Sequence, residues 1–397
     1  MKDRIILHCD LNNFFASVSL LFNPTLKDLP VAVCGDKENR HGIVLAKNDI
    51  AKKAGVKTAE VIYEAKAKCP DLVMLPPIYD KYLEYSKKVH KIYERYTDMI
   101  EPFGIDECWL DVTGSTVLFG SGEEIAERIR KDVKTELGIT VSIGVSFNKI
   151  FAKFGSDYKK PDAITVISRK NYKDIVWSLP IETLLFAGKK TSEKLKLYGV
   201  RQIYDLTLCE DEALKRILGK NGVLLKQYAL GNDISPVITP TENDKPKSIG
   251  KSTTKGKDFQ SNDEVWKEFL RFSQYICDIL HQKKLFTAGV QVHIRTASLV
   301  TKEFSETFKT PTNSSLIFAK RGFELFLKNY SFGEPLRSIG LRAINLKNDK
   351  NAFQIDIFGD SEIFDFEEKI EDSIYNLKQK FGEESIKRAT TIKKPKF

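Results

Sequence analysis

Asp106 and Glu107 stand side by side in Glu101-Pro102-Phe103-Gly104-Ile105-Asp106-Glu107-Cys108-Trp109-Leu110-Asp111, a short and largely apolar stretch. Burying two adjacent carboxylates is costly unless something cationic compensates them. Neighbours on a regular strand point to opposite faces, so both serve one site only at a hairpin tip or bend, which Gly104 permits. A hard divalent cation with oxygen ligands, Mg²⁺ above all, would compensate the charge and also do chemistry. An ordinary exposed turn would suit the same residues, and on their own they leave both readings open. A third carboxylate, Asp10, closes the run Ile5-Ile6-Leu7-His8-Cys9, which reads as a buried strand. The residues after it, Leu11-Asn12-Asn13-Phe14-Phe15-Ala16-Ser17-Val18, read as a tight turn and a helix start, with Asn12 or Asn13 as the cap. Free backbone N–H groups would then lie beside Asp10, a suitable place for phosphate if a metal shares the site.

The elements that must position these carboxylates belong to a long chain. At 397 residues, it exceeds one ordinary core and suggests about three domains. A hydrophobic fraction of 42% and a charged fraction of 29% are those of a soluble globular protein, and no apolar run approaches a membrane span. The apolar run near Met1 is too short for a signal peptide, so an intracellular, cytoplasmic protein is expected. Six cysteines without a CxxC pair and five scattered histidines offer no zinc spacing, and reduced thiols are the default. The net charge of +9 is concentrated: residues 245–350 hold 19 Lys and Arg against 10 Asp and Glu, so this region accounts for the whole excess. A basic region beside an acidic metal site suits a polyanion held by one part and processed by another, and nucleic acid is the common polyanion. A generically basic surface is the alternative.

Periodicity places the other elements. Residues 30–35 read as a strand and turn, and Asp49–Ala54 as a helix stopped at Gly55. From Asp80 to Tyr96, the residues Tyr82, Tyr85, Val89, Ile92, Tyr93 and Tyr96 recur at helical spacing and form a core stripe. Residues 123–137 make an amphipathic helix, and Ile139–Val145 alternates as a strand. Lys149 and Lys153 lie on one helix face, where they are as well suited to solvent as to function. Residues 235–247, with Pro236, Pro240 and Pro246, read as a tether. Beyond it, Ile276–Phe286 and Leu316–Tyr330 read as helices, residues 288–296 and 338–346 as strands, and Asp360–Lys380 as a charged helix before a Lys-rich, disordered end.

The motif around Asp10, His-Cys-Asp-Leu-Asn-Asn-Phe-Phe-Ala-Ser, together with Gly-Ile-Asp-Glu-Cys-Trp-Leu-Asp-Val-Thr, resembles the Y-family DNA polymerases, especially the bacterial DNA polymerase IV branch. The resemblance extends from residue 1 to about residue 345 and includes Ser146–Pro161, where the family's lysine before proline falls on Lys160. It implies an α+β, multidomain right-hand polymerase: palm in residues 1–23 and 77–165, fingers in 24–76, thumb in 166–234, a linker in 235–247, a little finger in 248–350, and a tail in 351–397. Template-directed addition of dNTPs to a primer 3′ end is implied, with low fidelity and a role in synthesis across damaged template. Two Mg²⁺ ions would be held by Asp10, Asp106, Glu107 and the main-chain carbonyl of Leu11. Phe14, Phe15, Lys52 and Lys160 would contact the nucleotide, with Phe15 as the steric gate against a 2′-hydroxyl. Where relatives carry an aromatic residue on the fingers helix this chain has Asp49, which a triphosphate would repel, so Asn48 or Lys47 is a substitute contact. Leu184–Val200 resembles a helix-hairpin-helix with one hairpin glycine, Gly188, and residues 217–222 suggest a second copy. Gln354-Ile355-Asp356-Ile357-Phe358 resembles the peptide that binds the bacterial sliding clamp, through Gln354, Ile357 and Phe358. A last little-finger strand is the rival, since Phe353, Ile355 and Ile357 also alternate. The implied partners are primer-template DNA, dNTP and the clamp, with the chain acting as a monomer. A cyclase-type palm enzyme would share the carboxylates without needing the basic region, and a non-catalytic DNA-binding subunit would not need all three carboxylates.

Overall fold

The structure, a computed structural model, describes residues 3–35, 42–240, 246–348, 361–382 and 385–386. Gln354, Ile357 and Phe358 lie outside the described residues, as does most of the Lys-rich end. Twelve strands occur among the described residues: β1 Ile6–Leu11, β2 Val31–Cys34, β3 Val44–Lys47, β4 Val73–Leu75, β5 Ile100–Pro102, β6 Glu107–Asp111, β7 Val141–Ser146, β8 Ile164–Ile167, β9 Ile249–Phe259, β10 Phe286–Thr296, β11 Thr301–Thr312 and β12 Leu336–Lys347. Two compact units divide the chain, one ending at residue 240 and the other beginning at residue 246 among the described residues.

In the first unit, a five-stranded sheet runs in the order β5-β6-β1-β7-β8. The apolar run that reads as a strand from sequence becomes its centre: every residue of β1 is buried, and both neighbours pair with it antiparallel. One face packs on helices Tyr79–Tyr93 and Gly122–Leu137, with Leu7, Cys9, Tyr82, Val89, Ile92, Ile125 and Ile129 in a common core. The aromatic stripe is therefore core, as its spacing predicts. Ser121 caps the second of these helices through a reciprocal capping box with Glu124. A separate three-stranded sheet, β3-β2-β4, carries the short helix Asp49–Lys53. Residues 172–230 form a helical region packed around Leu195, Leu206, Leu214 and Leu225.

Two details in this unit differ from expectation. Leu184–Val200 has one regular helix, Lys189–Leu197, preceded only by a single 3₁₀ turn at Ile181–Thr183; Phe186 in the hairpin sits at φ 69°. The second copy does pair two helices, Asp211–Leu218 and Lys220–Ala229, across Gly219 at φ 65°. Ser235–Thr239, read as a tether, is pinned instead. Arg4 donates to the Ser235 carbonyl at 2.7 Å, the Ile238 N–H reaches Glu101 at 2.8 Å, and Thr239 accepts from the Ile100 N–H at 3.1 Å. Polar composition hid this because the ties are backbone and charge interactions that leave no hydrophobic period.

The second unit is a four-stranded antiparallel sheet, β11-β10-β12-β9, covered by helices Asn262–Gln282 and Ser315–Asn329. The first helix begins at Asn262, capped by Ser261, and not at Ile276; Phe286 belongs to β10. Strands β9 and β11 escaped the sequence reading because Lys251, Lys255, Lys257, Lys302 and Lys309 interrupt their apolar alternation. Helix Ser361–Phe381 joins this unit through Lys378–Asp278 at 3.0 Å and Glu371–Ser315 at 2.5 Å. No helix among the described residues is long and apolar enough to cross a membrane.

Helix Lys149–Tyr158 lies against the other face of the five-stranded sheet at unusually close range. A Cβ on Gly144 of β7 would overlap the Ala152 carbonyl and stand 2.5 Å from the Ser156 nitrogen, and a Cβ on Gly155 would stand 2.9 Å from the Gly144 Cα. Gly144→Ala is expected to destabilise the chain by about 2 kcal/mol or more, since backbone on both sides leaves nothing soft to move; a fall in the urea midpoint at unchanged slope is the measurement.

Candidate active site

Register decides which side chains meet. Across β1 and β6, Asp10 stands opposite Glu107 and His8 opposite Trp109, so these four share one face while Cys9 and Cys108 face the core. Asp106 occupies the bend between β5 and β6, where Gly104 takes φ 137°. The hairpin tip expected from Gly104 is thus present, and it is tied down by the Leu11 N–H donating to the Asp106 carbonyl at 3.1 Å. The exposed-turn alternative fails for Glu107, which is drawn into the sheet. Asn13 takes the N-cap position of the helix after β1 in the left-handed conformation, but without a side-chain capping bond, while Asn12 is spent on Ser142, Thr140 and the Asp162 N–H.

The helix Lys149–Tyr158 brings cations to this face. Lys153 Nζ lies 3.0 Å from Asp10 Oδ2, 2.9 Å from Glu107 Oε2 and 3.3 Å from Asp157 Oδ2. Just beyond the helix, Lys160 Nζ lies 2.7 Å from Asp10 Oδ2 and 2.8 Å from Asp157 Oδ1. Lys149 is buried, 2.6 Å from both oxygens of Glu101 and 4.5 Å above the Trp109 ring. The solvent alternative for Lys149 and Lys153 is therefore overturned, because each is held by a carboxylate that the sequence places far away. Burial lowers the Lys153 pKa, but Asp10, Asp157 and Glu107 more than offset this and hold it above the ordinary value. Among the described residues no cation pairs with Asp106 at short range. Burial, then Asp10 and Glu107, push its pKa up to about 6. The carboxylates thus hold more negative charge than the lysines settle, and an all-oxygen donor set of this kind fits a hard divalent cation.

A cleft of about 330 Å³ opens over the carboxylates, lined by Asp10, Leu11, Asn13, Phe14, Phe15, Lys47, Thr58, Asp106, Glu107, Lys153, Asp157 and Lys160. Phe14 is buried, whereas Phe15 is half-buried and stacked on Tyr82 at 4.2 Å with the rings 7° from parallel. The two phenylalanines thus divide between core and cleft wall. Lys47 lines the cleft, 2.9 Å from Thr58 Oγ1, and its pKa is lowered by burial and by the Lys52 charge. Lys52 itself is exposed on the helix Asp49–Lys53. Asn48 is fully engaged, accepting from Ala51 and Val31 N–H groups and donating to the Leu29 carbonyl, so it caps the helix and has no arm for a ligand. Asp49 is turned toward Asn13, whose side-chain amide donates to it at 3.0 Å. A larger cavity of about 720 Å³ in the helical region, lined by Phe186, Leu218, Leu224 and Tyr228, has no carboxylate on its walls.

Sequence reasoning passed over His8 and Asp157. His8 was recoverable, being two residues before Asp10 on a strand and so on the same face; Asp157 lies four residues from Lys153 and three from Lys160, the spacing of helical charge pairs.

Comparison with known proteins gives this geometry its setting. Residues 9–157 match the impB/mucB/samB family, and residues 246–357 match the impB/mucB/samB family C-terminal domain. The chain is 44% identical to the DNA polymerase IV of Acetivibrio thermocellus over 98% of each chain, and 35% identical to DNA polymerase IV 1 of Bacillus subtilis over 99% of this chain and 94% of that one. A solved Y-family DNA polymerase chimera superposes with a TM-score of 0.75 at 25% identity, covering 87% of this chain and all of the other. Sheet, cleft and relatives agree, and the chain belongs to the Y-family of DNA polymerases, in the DNA polymerase IV branch, with the palm, fingers, thumb and little finger of that fold and the activity of a DNA-directed DNA polymerase.

Proposed function

We propose that this polymerase extends primer 3′ ends by divalent-metal-assisted nucleotidyl transfer at Asp10, Asp106 and Glu107, and that it serves low-fidelity synthesis across damaged template in DNA repair. The observation that carries the reading is the register of Asp10 opposite Glu107, with Asp106 at the adjoining hairpin tip and all three on one cleft. Asp10, Asp106, Glu107 and the Leu11 carbonyl would hold the metal. Two bound Mg²⁺ ions would polarise the primer hydroxyl and the α-phosphate and offset the charge on departing pyrophosphate.

The chain's own residues do the rest. Lys160, and Lys47 on the opposite wall, offer ammonium groups to the triphosphate, and Lys52 adds long-range positive charge from the same helix region. Asn13 keeps the Asp49 carboxylate occupied, which answers the repulsion that Asp49 would otherwise direct at the phosphates. Phe15, braced flat on Tyr82, is a rigid wall for the sugar. Synthesis over damaged template is supported by membership of the family. The fingers would span residues 24–76 and the thumb 166–234, the limits that the family resemblance implies. The basic second unit would lie on the DNA backbone, and Gln354, Ile357 and Phe358 would engage the sliding clamp, where each buried apolar side chain contributes on the order of 1.5–3 kcal/mol. Such a tether raises the local concentration of a monomeric, weakly processive enzyme at the primer end.

Asp106→Ala and Glu107→Ala are each expected to reduce primer extension with dNTPs and Mg²⁺ to trace levels while duplex DNA binding survives; extension by both variants above trace would refute the metal assignment. Phe15→Ala should raise ribonucleotide incorporation by roughly tenfold or more while keeping dNTP activity, since a site that excludes one added group discriminates by steric fit; single-nucleotide insertion assays measure it. Changing Ile357 and Phe358 together to Ala should abolish stimulation by the clamp without touching distributive synthesis. Loss of both activities would instead favour a buried strand.

A further inference from the structure

Glu101 stands opposite Trp109 in the β5–β6 pairing, so it shares a sheet face with Glu107 and Asp10 while lying outside their cleft. Its carboxylate is a junction. Both oxygens take Lys149 Nζ at 2.6 Å, and Oε2 also accepts the Ile238 N–H at 2.8 Å. Lys149 and Lys153 are one helical turn apart, the first on Glu101 and the second on Glu107, so helix and hairpin are fixed to each other at two levels.

The segment Asp233–Thr239 is laid along this junction. Val237 is buried in one cluster with Ile6, Trp109 and Ala152. Asp233 Oδ2 accepts the Lys149 N–H at 3.2 Å, and the Pro236 carbonyl lies 3.4 Å from Lys149 Nζ. Thr239 Oγ1 accepts the Ile100 N–H at 3.1 Å and donates to the Asp98 carbonyl at 3.0 Å, which ties the segment to the first residue of β5. Asp106, at the far end of the same hairpin, is held by its main chain, where its carbonyl accepts the Leu11 N–H at 3.1 Å. Three carboxylates converge on the cleft and repel one another, so the hairpin carrying two of them must be held from its base.

We propose that Glu101 is a positioning residue for Asp106 and Glu107: it gathers Lys149 and the segment Asp233–Thr239 onto β5, so that the docking of this segment sets how tightly the carboxylates take a divalent cation. This role rests on the reading that Asp106 and Glu107 hold metal. The segment leads toward the second unit in the chain, and its release would be felt at the cleft as a loss of metal affinity, with the residues that line the cleft unchanged.

Metal affinity is read without turnover by titrating Mn²⁺, a paramagnetic stand-in for Mg²⁺, into the full chain under electron paramagnetic resonance; primer extension then gives the Mg²⁺ requirement and the maximal rate. Thr239→Val, close in shape and remote from the cleft, removes the tie to Ile100 and is expected to weaken Mn²⁺ binding and raise the Mg²⁺ requirement about threefold, with the rate at saturating Mg²⁺ kept. Thr239→Ser, which retains the hydroxyl, should behave as the wild type. Glu101→Gln combined with Lys149→Met leaves no unpaired charge buried, so the urea midpoint should change little while Mn²⁺ binding weakens about tenfold. If the double variant fails to fold, Thr239→Val decides alone. Wild-type Mn²⁺ affinity in Thr239→Val, or the same loss in Thr239→Ser as in Thr239→Val, overturns the proposal. Asp106→Asn separates the two readings: if it loses Mn²⁺ binding while Thr239→Val keeps it, only the positioning role fails, and if it binds Mn²⁺ as the wild type does, the carboxylate assignment fails as well.

Discussion

Two like charges held in direct register are the constraint on which this active site depends. Antiparallel pairing of β1 and β6 sets Asp10 opposite Glu107, and the adjoining bend adds Asp106. At about 4 Å and an effective dielectric near 20, a pair of unit charges interacts by about 4 kcal/mol, so such a face is stable only when cations are built in around it. Lys153 and Lys160 meet that demand from one side of the cleft. Asp157 pairs with both ammonium groups and so keeps them from collapsing wholly onto Asp10 and Glu107.

The need to deliver those lysines explains the close packing of a helix on the sheet. Gly144 and Gly155 remove the Cβ atoms that would hold the helix off, and backbone approach at that point puts Ser156 on His8 and Lys153 on Asp10. The same helix starts with Lys149, whose ammonium joins Glu101 at the base of the β5–β6 hairpin. Its amide N–H meets Asp233, and Asn148 donates to the Gly231 carbonyl, so the end of the helical region and the segment leading out of it are stitched to the strand that leads to Asp106 and Glu107. Removing one member of a buried ion pair leaves the other unpaired, which makes the Lys149–Glu101 contact a structural dependency of the β5–β6 hairpin.

The fingers side shows how an unfavourable residue is accommodated. Asp49 brings negative charge to a helix expected to meet a triphosphate, yet Asn13, in a left-handed conformation that asparagine tolerates, turns an amide toward it. On this side the positive charge facing the cleft comes from Lys47 on β3, whose neighbour Thr58 fixes its ammonium, in addition to Lys153 and Lys160.

Local pattern was enough for much of this. The buried run ending in Asp10, the adjacent acids after Gly104, the helical stripe from Tyr82 to Tyr96 and the basic excess in residues 245–350 each arise from neighbours in the chain, where period and composition speak directly. Strands β9 and β11 did not, because edge positions carry lysines that break alternation. Nor could sequence say that Ser235–Thr239 is docked, or that Lys149 and Lys153 are buried, since their partners lie some 48 to 143 positions away in the chain. Residue types and spacing determined which groups could do chemistry. Their pairing and their burial were decided only when register and helix packing brought distant segments within hydrogen-bond range.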